Sequence, residues 1–340
     1  MGVEAVYRRS FEQARAYRAK QNAGETVQKD LRLETLADIL DRKVWVQCHS
    51  YRADEMLMMV RLSQEFGFKI GAMQHALEAY KIAPEMAEAG VGAGMFADHW
   101  GYKVEAYGAV PFNAAICYYA GVNVSINTDG LAGTSALNID AAKAVKYGGV
   151  PENEALKMIT INPAEQLGVD HRVGSIEVGK DADLALWDGH PLSVYSKPVM
   201  TMIEGEVMFE RRDAFGVDAD SIAPAELSPF KYAQEPADLP RAASYLIQGA
   251  TIHTMTDGTI QNGSILVENG KIVAVGLGIN PPANAFVVDA QGMDVYPGFI
   301  DGGSSIGISE VSGIAQTNDS REQGREQPDL KAATALFVES

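Results

Sequence analysis

The chain has 340 residues, 46% hydrophobic and 21% charged, with a formal net charge of −17. That balance describes a globular chain of about two domains, and its acidity excludes phosphate-backbone binding, which needs clustered Lys and Arg. No apolar run reaches the ~18–20 residues of a membrane helix and no signal-type segment follows Met1, so the chain as given reads as cytoplasmic. Its expected partner is a small molecule, not nucleic acid or a membrane.

Taken in order, residues 1–43 read as helical, with Val3, Val6, Tyr7, Ala14 and Tyr17 on one face and a second helix from about Leu31 to Asp41. Four apolar runs follow, each of buried-strand length and each ending in a polar residue: Val44 to His49, Lys69 to His75, Gly92 to Asp98 and Val122 to Gly130. His49 to His75 is 26 residues, His75 to Asp98 is 23 and Asp98 to Asp129 is 31, with helical patterns between. That is the rhythm of βα units, whose functional side chains sit at strand C-termini. Two imidazoles and a carboxylate at three such ends make a metal site plausible on residue type alone.

Ala53–Phe66 reads as a helix with Met56, Met59, Val60 and Ser63 on its inner face; core packing explains these methionines better than a soft-metal surface. Pro84 suits the first turn of the next helix. The loop after the third strand, Asp98-His99-Trp100-Gly101-Tyr102-Lys103, is rich in groups that meet substrates, with a surface loop as the plainer reading. Helices are expected at Asn113–Ala120, Asn138–Tyr147, Pro151–Thr160 and Asn162–Gly168. Cys48 and Cys117 have no C-x-x-C spacing and read as buried, inert thiols.

From Val173 the period changes to two. Gly174 to Trp187 alternates and turns like β-structure, and Met200–Ile203 with Val207–Glu210 form a hairpin. Residues 213–241 hold four prolines among acidic and small residues, the composition of a linker. Beyond it Tyr245–Gln248, Ile265–Glu268, Lys271–Gly276 and Phe286–Asp289 read as strands, and Asn269-Gly270 signals a type I′ hairpin. The last forty residues lack periodicity.

These residues resemble a known family. Gly174-Ser175-Ile176-Glu177-Val178-Gly179-Lys180-Asp181-Ala182-Asp183-Leu184 is similar to the stretch that closes the barrel of amidohydrolase-superfamily enzymes and re-enters their β-sandwich. Thr160-Ile161-Asn162-Pro163-Ala164 matches the helix before it, and Tyr296-Pro297-Gly298-Phe299-Ile300-Asp301 resembles the opening of the first barrel strand. Within that family these motifs resemble the imidazolonepropionase-like amidohydrolases.

The resemblance implies an α/β fold: late strands of a partial (β/α)8 TIM-type barrel plus β-sandwich segments. The implied organisation is barrel over 1–170, sandwich return over 171–212, linker over 213–243, sandwich strands opening a second unit over 244–292, and first barrel strand with a polar tail over 293–340. It implies hydrolysis of a non-peptide C–N bond, with Zn²⁺ or another divalent metal held by His49, His75 and Asp129, and Asp129 as the proton-shuttling catalytic group. His99, Trp100 and Lys103 are the expected substrate contacts, while His171, His190 and His253 are expected to be structural.

One departure stands out. The family's first strand ends in His-x-His, and Gly303 and Ser305 occupy those two places here. The alternative is therefore a degenerate scaffold or binding domain that has lost its metal. The order of segments (late barrel, sandwich, linker, sandwich, first strand) fits a slice through two fused units better than a permuted single one, and implies self-association or a longer parent chain that completes the barrel.

Overall fold

Four short strands, β1 (Val46–His49), β2 (Ile70–Gln74), β3 (Gly92–Met95) and β4 (Val124–Ile126), run parallel in the order β1-β2-β3-β4. They belong to a computed structural model that describes residues 2–97, 101, 103–128, 137–211 and 242–303. Every residue of β2, β3 and β4 is buried, as expected of a parallel sheet covered on both faces. The expected linker as far as residue 241 and the polar tail after Gly303 lie outside the described residues. The chain divides into two compact units, one built from Met1–Pro151, Glu165–Gly168 and Asp301 onward, the other from Glu152–Ala164 and Val169–Ile300.

In the first unit, helices α1 (Gly2–Asn22) and α2 (Leu31–Leu40) precede the sheet. Asp30 starts α2 by accepting a hydrogen bond from the Leu33 N–H at 3.0 Å, a cap worth about 1 kcal/mol. Phe11 of α1 stacks on Phe68 at 4.7 Å. Helix α3 (Ala53–Phe66) buries Met56, Met59, Val60 and Ser63, the face that helical spacing assigns to it, together with Leu62 and Phe66. Gly67 ends it in the left-handed region at φ 79°. Helices α4 (Ala83–Ala89, with Pro84 in its first turn), α5 (Asn113–Tyr119) and α6 (Leu137–Gly148) follow; α7 (Glu152–Lys157) belongs to the second unit, and α8 (Ile161–Leu167) is divided between the two.

Cys48 is half-buried rather than buried, and Cys117 is fully buried. Burial pushes the first thiol up to about 11, with Glu55 adding to it, and the second up to about 12. Both stay protonated and unreactive at neutral pH.

The second unit is one sheet of eight strands among the described residues. The return strands are β5 (Leu184–Trp187), β6 (Pro198–Ile203) and β7 (Glu206–Glu210); the later ones are β8 (Ser244–His253), β9 (Thr259–Glu268), β10 (Lys271–Gly276), β11 (Phe286–Asp289) and β12 (Asp294–Pro297). The order is β10-β9-β8-β12-β5-β6-β7, with β11 also paired to β8. Antiparallel pairing of β12 with β5, Asp294 opposite Trp187 through Pro297 opposite Leu184, joins the two groups. Leu184, Leu186, Met202, Ile247, Ile252, Ile265, Val267 and Val295 share its core, each worth about 1.5–3 kcal/mol of burial.

Two expectations change here. Between Gly174 and Asp183 the alternation is not a strand. Gly174 and Gly179 turn the chain at φ 92° and 96°, and Asp181 makes one isolated bridge, to Lys271. Ile176 and Ala182 are buried within these turns, with Val178 and Gly179 exposed between them. Asp181 is itself 4% exposed and held by Arg172 (2.7 Å) and Lys271. Burial alone would raise its carboxyl, but the hydrogen bonds from Lys271 and Arg172 outweigh that and hold it below the usual range. Strand β8 also runs beyond Gln248 to His253, because Gly249 at φ 80° forms a bulge that breaks the alternation without ending the strand.

Candidate active site

His49 is the last residue of β1 and His75 follows the last residue of β2. Because the strands are parallel and adjacent, with Cys48 opposite Met73 and His49 opposite Gln74, the two rings emerge side by side. Their centroids lie 4.8 Å apart at 65°. His49 is exposed, whereas His75 is buried against Phe96, whose ring stacks on it at 4.9 Å and 27°. Tyr51 sits edge-on to His49 at 4.9 Å. Tyr51, Leu77, Phe96 and Ala106 form a small apolar cluster of their own beside the imidazoles.

His75 has φ 57°, the left-handed region, which a non-glycine residue enters at a cost of about 1–3 kcal/mol. The Ala76 N–H donates to Gly94 O at 3.0 Å and the Leu77 N–H to His75 O at 2.7 Å, so the turn is held on both sides. A glycine at 75 meets no such penalty. We therefore expect His75→Gly to be more stable than His75→Ala by about 1 kcal/mol in urea unfolding, although alanine keeps more of the side chain. Equal stabilities, or the reverse order, would mean that the backbone at 75 is not held left-handed.

Lys103 reaches the same place from the loop after β3, its Nζ 3.9 Å from the centre of the Tyr51 ring. Asp129, His99 and Trp100 lie outside the described residues, as do Asp98 and Ser305. Sequence reasoning missed Tyr51 and Phe96. Both stand just beyond a strand C-terminus, the same signal that singled out the histidines, but neither has metal-binding or acid–base chemistry to draw attention.

The opening-strand segment is anchored in this unit through Asp301. The Thr128 hydroxyl donates to Asp301 Oδ2, while the Thr128 N–H (3.4 Å) and Gly303 N–H (3.2 Å) donate to Oδ1. Behind the histidines runs a line of amides. Asn127 Nδ2 donates to Gln74 Oε1 at 2.9 Å, Gln74 Nε2 to Gln47 Oε1 at 2.9 Å, and Gln47 Nε2 to the Gln166 backbone carbonyl at 2.8 Å. Gly71, Gly92 and Gly94 leave room for it: a Cβ at Gly94 would fall 2.4 Å from Gln74 Oε1.

As a metal site the described residues are incomplete. The paired imidazoles suit Zn²⁺ as two nitrogen donors, but among the described residues no three His, Cys, Asp or Glu side chains come together to hold a metal ion. Position 303 offers no donor.

Residues 108–209 match the model of the amidohydrolase family. An amidohydrolase of Thermotoga maritima MSB8, known from its crystal structure, superposes with a TM-score of 0.56 at 32% identity, over 62% of this chain and 56% of that one. The chain is thus similar to amidohydrolases in sequence and in fold. The amidohydrolase tasK of Hapsidospora irregularis aligns over 94% of this chain at 28% identity. A 5-methylthioadenosine/S-adenosylhomocysteine deaminase of Thermoanaerobacter pseudethanolicus is 34% identical over 127 residues, 30% of each chain. The stretch matched is only 36% of tasK, so this chain spans about a third of the curated relatives it matches.

Proposed function

We propose that the protein to which this chain belongs hydrolyses a non-peptide C–N bond, in an amide or cyclic amide, with a divalent metal such as Zn²⁺. In this reading His49, His75 and Asp129 are the chain's metal donors, and the parallel sheet is the late part of a (β/α)8 barrel followed by sandwich strands. The observation that carries it is the imidazole pair, 4.8 Å apart at the ends of neighbouring parallel strands.

A bound metal would supply polarisation of the scissile carbonyl and acidification of water. The residues supply the rest. The left-handed turn and the Phe96 stack fix His75, and the apolar cluster of Tyr51, Leu77 and Phe96 keeps one side of the site dry. Asp129 takes a proton from the attacking water and returns it to the leaving nitrogen. Lys103, over Tyr51, together with His99 and Trp100, receives the substrate.

Among the described residues β1 and β4 each pair on one side only, and the stretch matched in tasK leaves 64% of that protein outside it (100% less 36%). Both support strands from a longer parent chain, or self-association, as the partner that completes the barrel.

The test is metal content. The full-length protein is expected to carry zinc after purification without chelators, and His49→Ala and His75→Ala each to lose it together with amidase activity. The glycine at 303 favours the second reading, a scaffold without metal. Zinc absent at every stage would decide for the scaffold, and zinc retained in both variants would overturn the reading of His49 and His75 as donors.

A further inference from the structure

Gly303 stands where the resemblance places the first histidine of the opening strand. A Cβ there would lie 2.8 Å from Asn127 Nδ2, 3.1 Å from Asn127 Cγ and 3.1 Å from Gln74 Oε1. Its backbone is not left-handed, so space alone opposes a side chain. The obstructing groups cannot swing aside cheaply, since Asn127 is 1% exposed and Gln74 is 8% exposed.

The direction of the amide line is also fixed. Amide oxygen and nitrogen are interchangeable in shape, but the Gln166 carbonyl can only accept, so Gln47 must turn its nitrogen towards it. Gln74 must then offer nitrogen to Gln47, and Asn127 nitrogen to Gln74. The line therefore ends in an acceptor, Asn127 Oδ1, which is buried and has no hydrogen-bond partner among the described residues. A buried orphan acceptor asks for an explanation.

We propose that the amide line of Gln47, Gln74 and Asn127 has taken over the volume of a first-strand metal ligand. Asp301–Gly303 then closes the unit by hydrogen bonds, and the amide nitrogen of Asn127 with the Gln74 oxygen faces the space that a side chain at 303 would fill. Resting on the reading of His49 and His75 as donors, this assigns every further metal donor to Asp129 or to another part of the parent protein.

Gly303→His, Asn127→Ala and the double variant, made in the full-length protein, test it by thermal unfolding and zinc per chain. Gly303→His alone is expected to lower Tm by about 6–12 °C, as overpacking with loss of a buried amide bond would, and to gain no zinc. The double variant is expected to melt above Gly303→His, because Asn127→Ala vacates the contested volume. Gly303→His with wild-type Tm, or with added zinc while Asn127 is in place, would overturn the proposal. So would simple additivity of the two changes. Zinc missing from the wild type would instead refute the histidine-pair reading, and the unfolding comparison would still decide this one.

Discussion

Replacing Gly71 with alanine is expected to cost the full-length protein about 2–4 kcal/mol, the sum of overpacking against a backbone carbonyl and a broken, partly buried hydrogen bond. The new Cβ would sit 2.2 Å from Gln166 O and 2.4 Å from Gln47 Nε2, inside the 2.8 Å bond that those two atoms make. Gln47 is an exposed side chain that can move, but Gln166 cannot yield easily. The carbonyl is backbone, and the Gln166 side chain is tied down twice: Oε1 accepts from Ser125 Oγ at 2.7 Å, and Nε2 donates to the Asn123 backbone and side-chain oxygens at 3.0 Å each. Gly92 tells the same story more mildly, a Cβ there meeting Gly71 O at 2.7 Å. Gly67 is the control. Its φ of 79° penalises alanine, but nothing lies within 4 Å of the added carbon, so only the left-handed cost of about 1–2 kcal/mol applies. Urea unfolding of both variants separates the cases. Gly71→Ala within 1 kcal/mol of wild type would mean that Gln166 does not press on this strand.

These glycines also mark where the sequence stopped being readable. The apolar runs placed β1 to β4 to within a few residues, and the α3 stripe of Met56, Met59, Val60 and Ser63 named its buried face, because both signals are local and periodic. Asn269 and Gly270, at φ 50° and 77°, make the turn that their side chains suit. Glycine inside a strand says only that something approaches closely. What approaches Gly71 and Gly92 is Gln166, more than seventy residues later in the chain, and no local pattern points to it. The site divides the same way. His49 and His75 were visible as polar ends of apolar runs, and the parallel register brings their rings together. Gln47, Gln74 and Asn127 were equally visible, yet an amide carries no chemistry until its partners are known.

The amide line makes the second large prediction, which turns on pH. Gln74→Glu removes the only donor that Gln47 Oε1 receives from this line, while the new carboxylate can still accept from Asn127 Nδ2. Ionised, the second carboxylate oxygen faces Gln47 Oε1, acceptor against acceptor, on a residue that is 8% exposed. Turning the Gln47 amide does not solve this, since its oxygen would then face the Gln166 carbonyl. Protonated, the acid donates to Gln47 and restores the line. The folded state therefore raises the pKa of Glu at 74 above its unfolded value of about 4.3. A group raised on folding contributes stability that is complete below its unfolded pKa and is lost as pH rises through the folded one. Relative to wild type at the same pH, the variant should be nearly as stable below about pH 4 and weaker by about 1–3 kcal/mol at pH 7, the cost of setting acceptor against acceptor in a partly buried pair. Gln74→Leu should lose stability by a similar amount at both pH values, because it has no proton to restore. If Gln74→Glu instead holds its stability from pH 4 to 8, the Gln166 carbonyl does not set the direction of the line, and the orphan acceptor on Asn127 loses its cause.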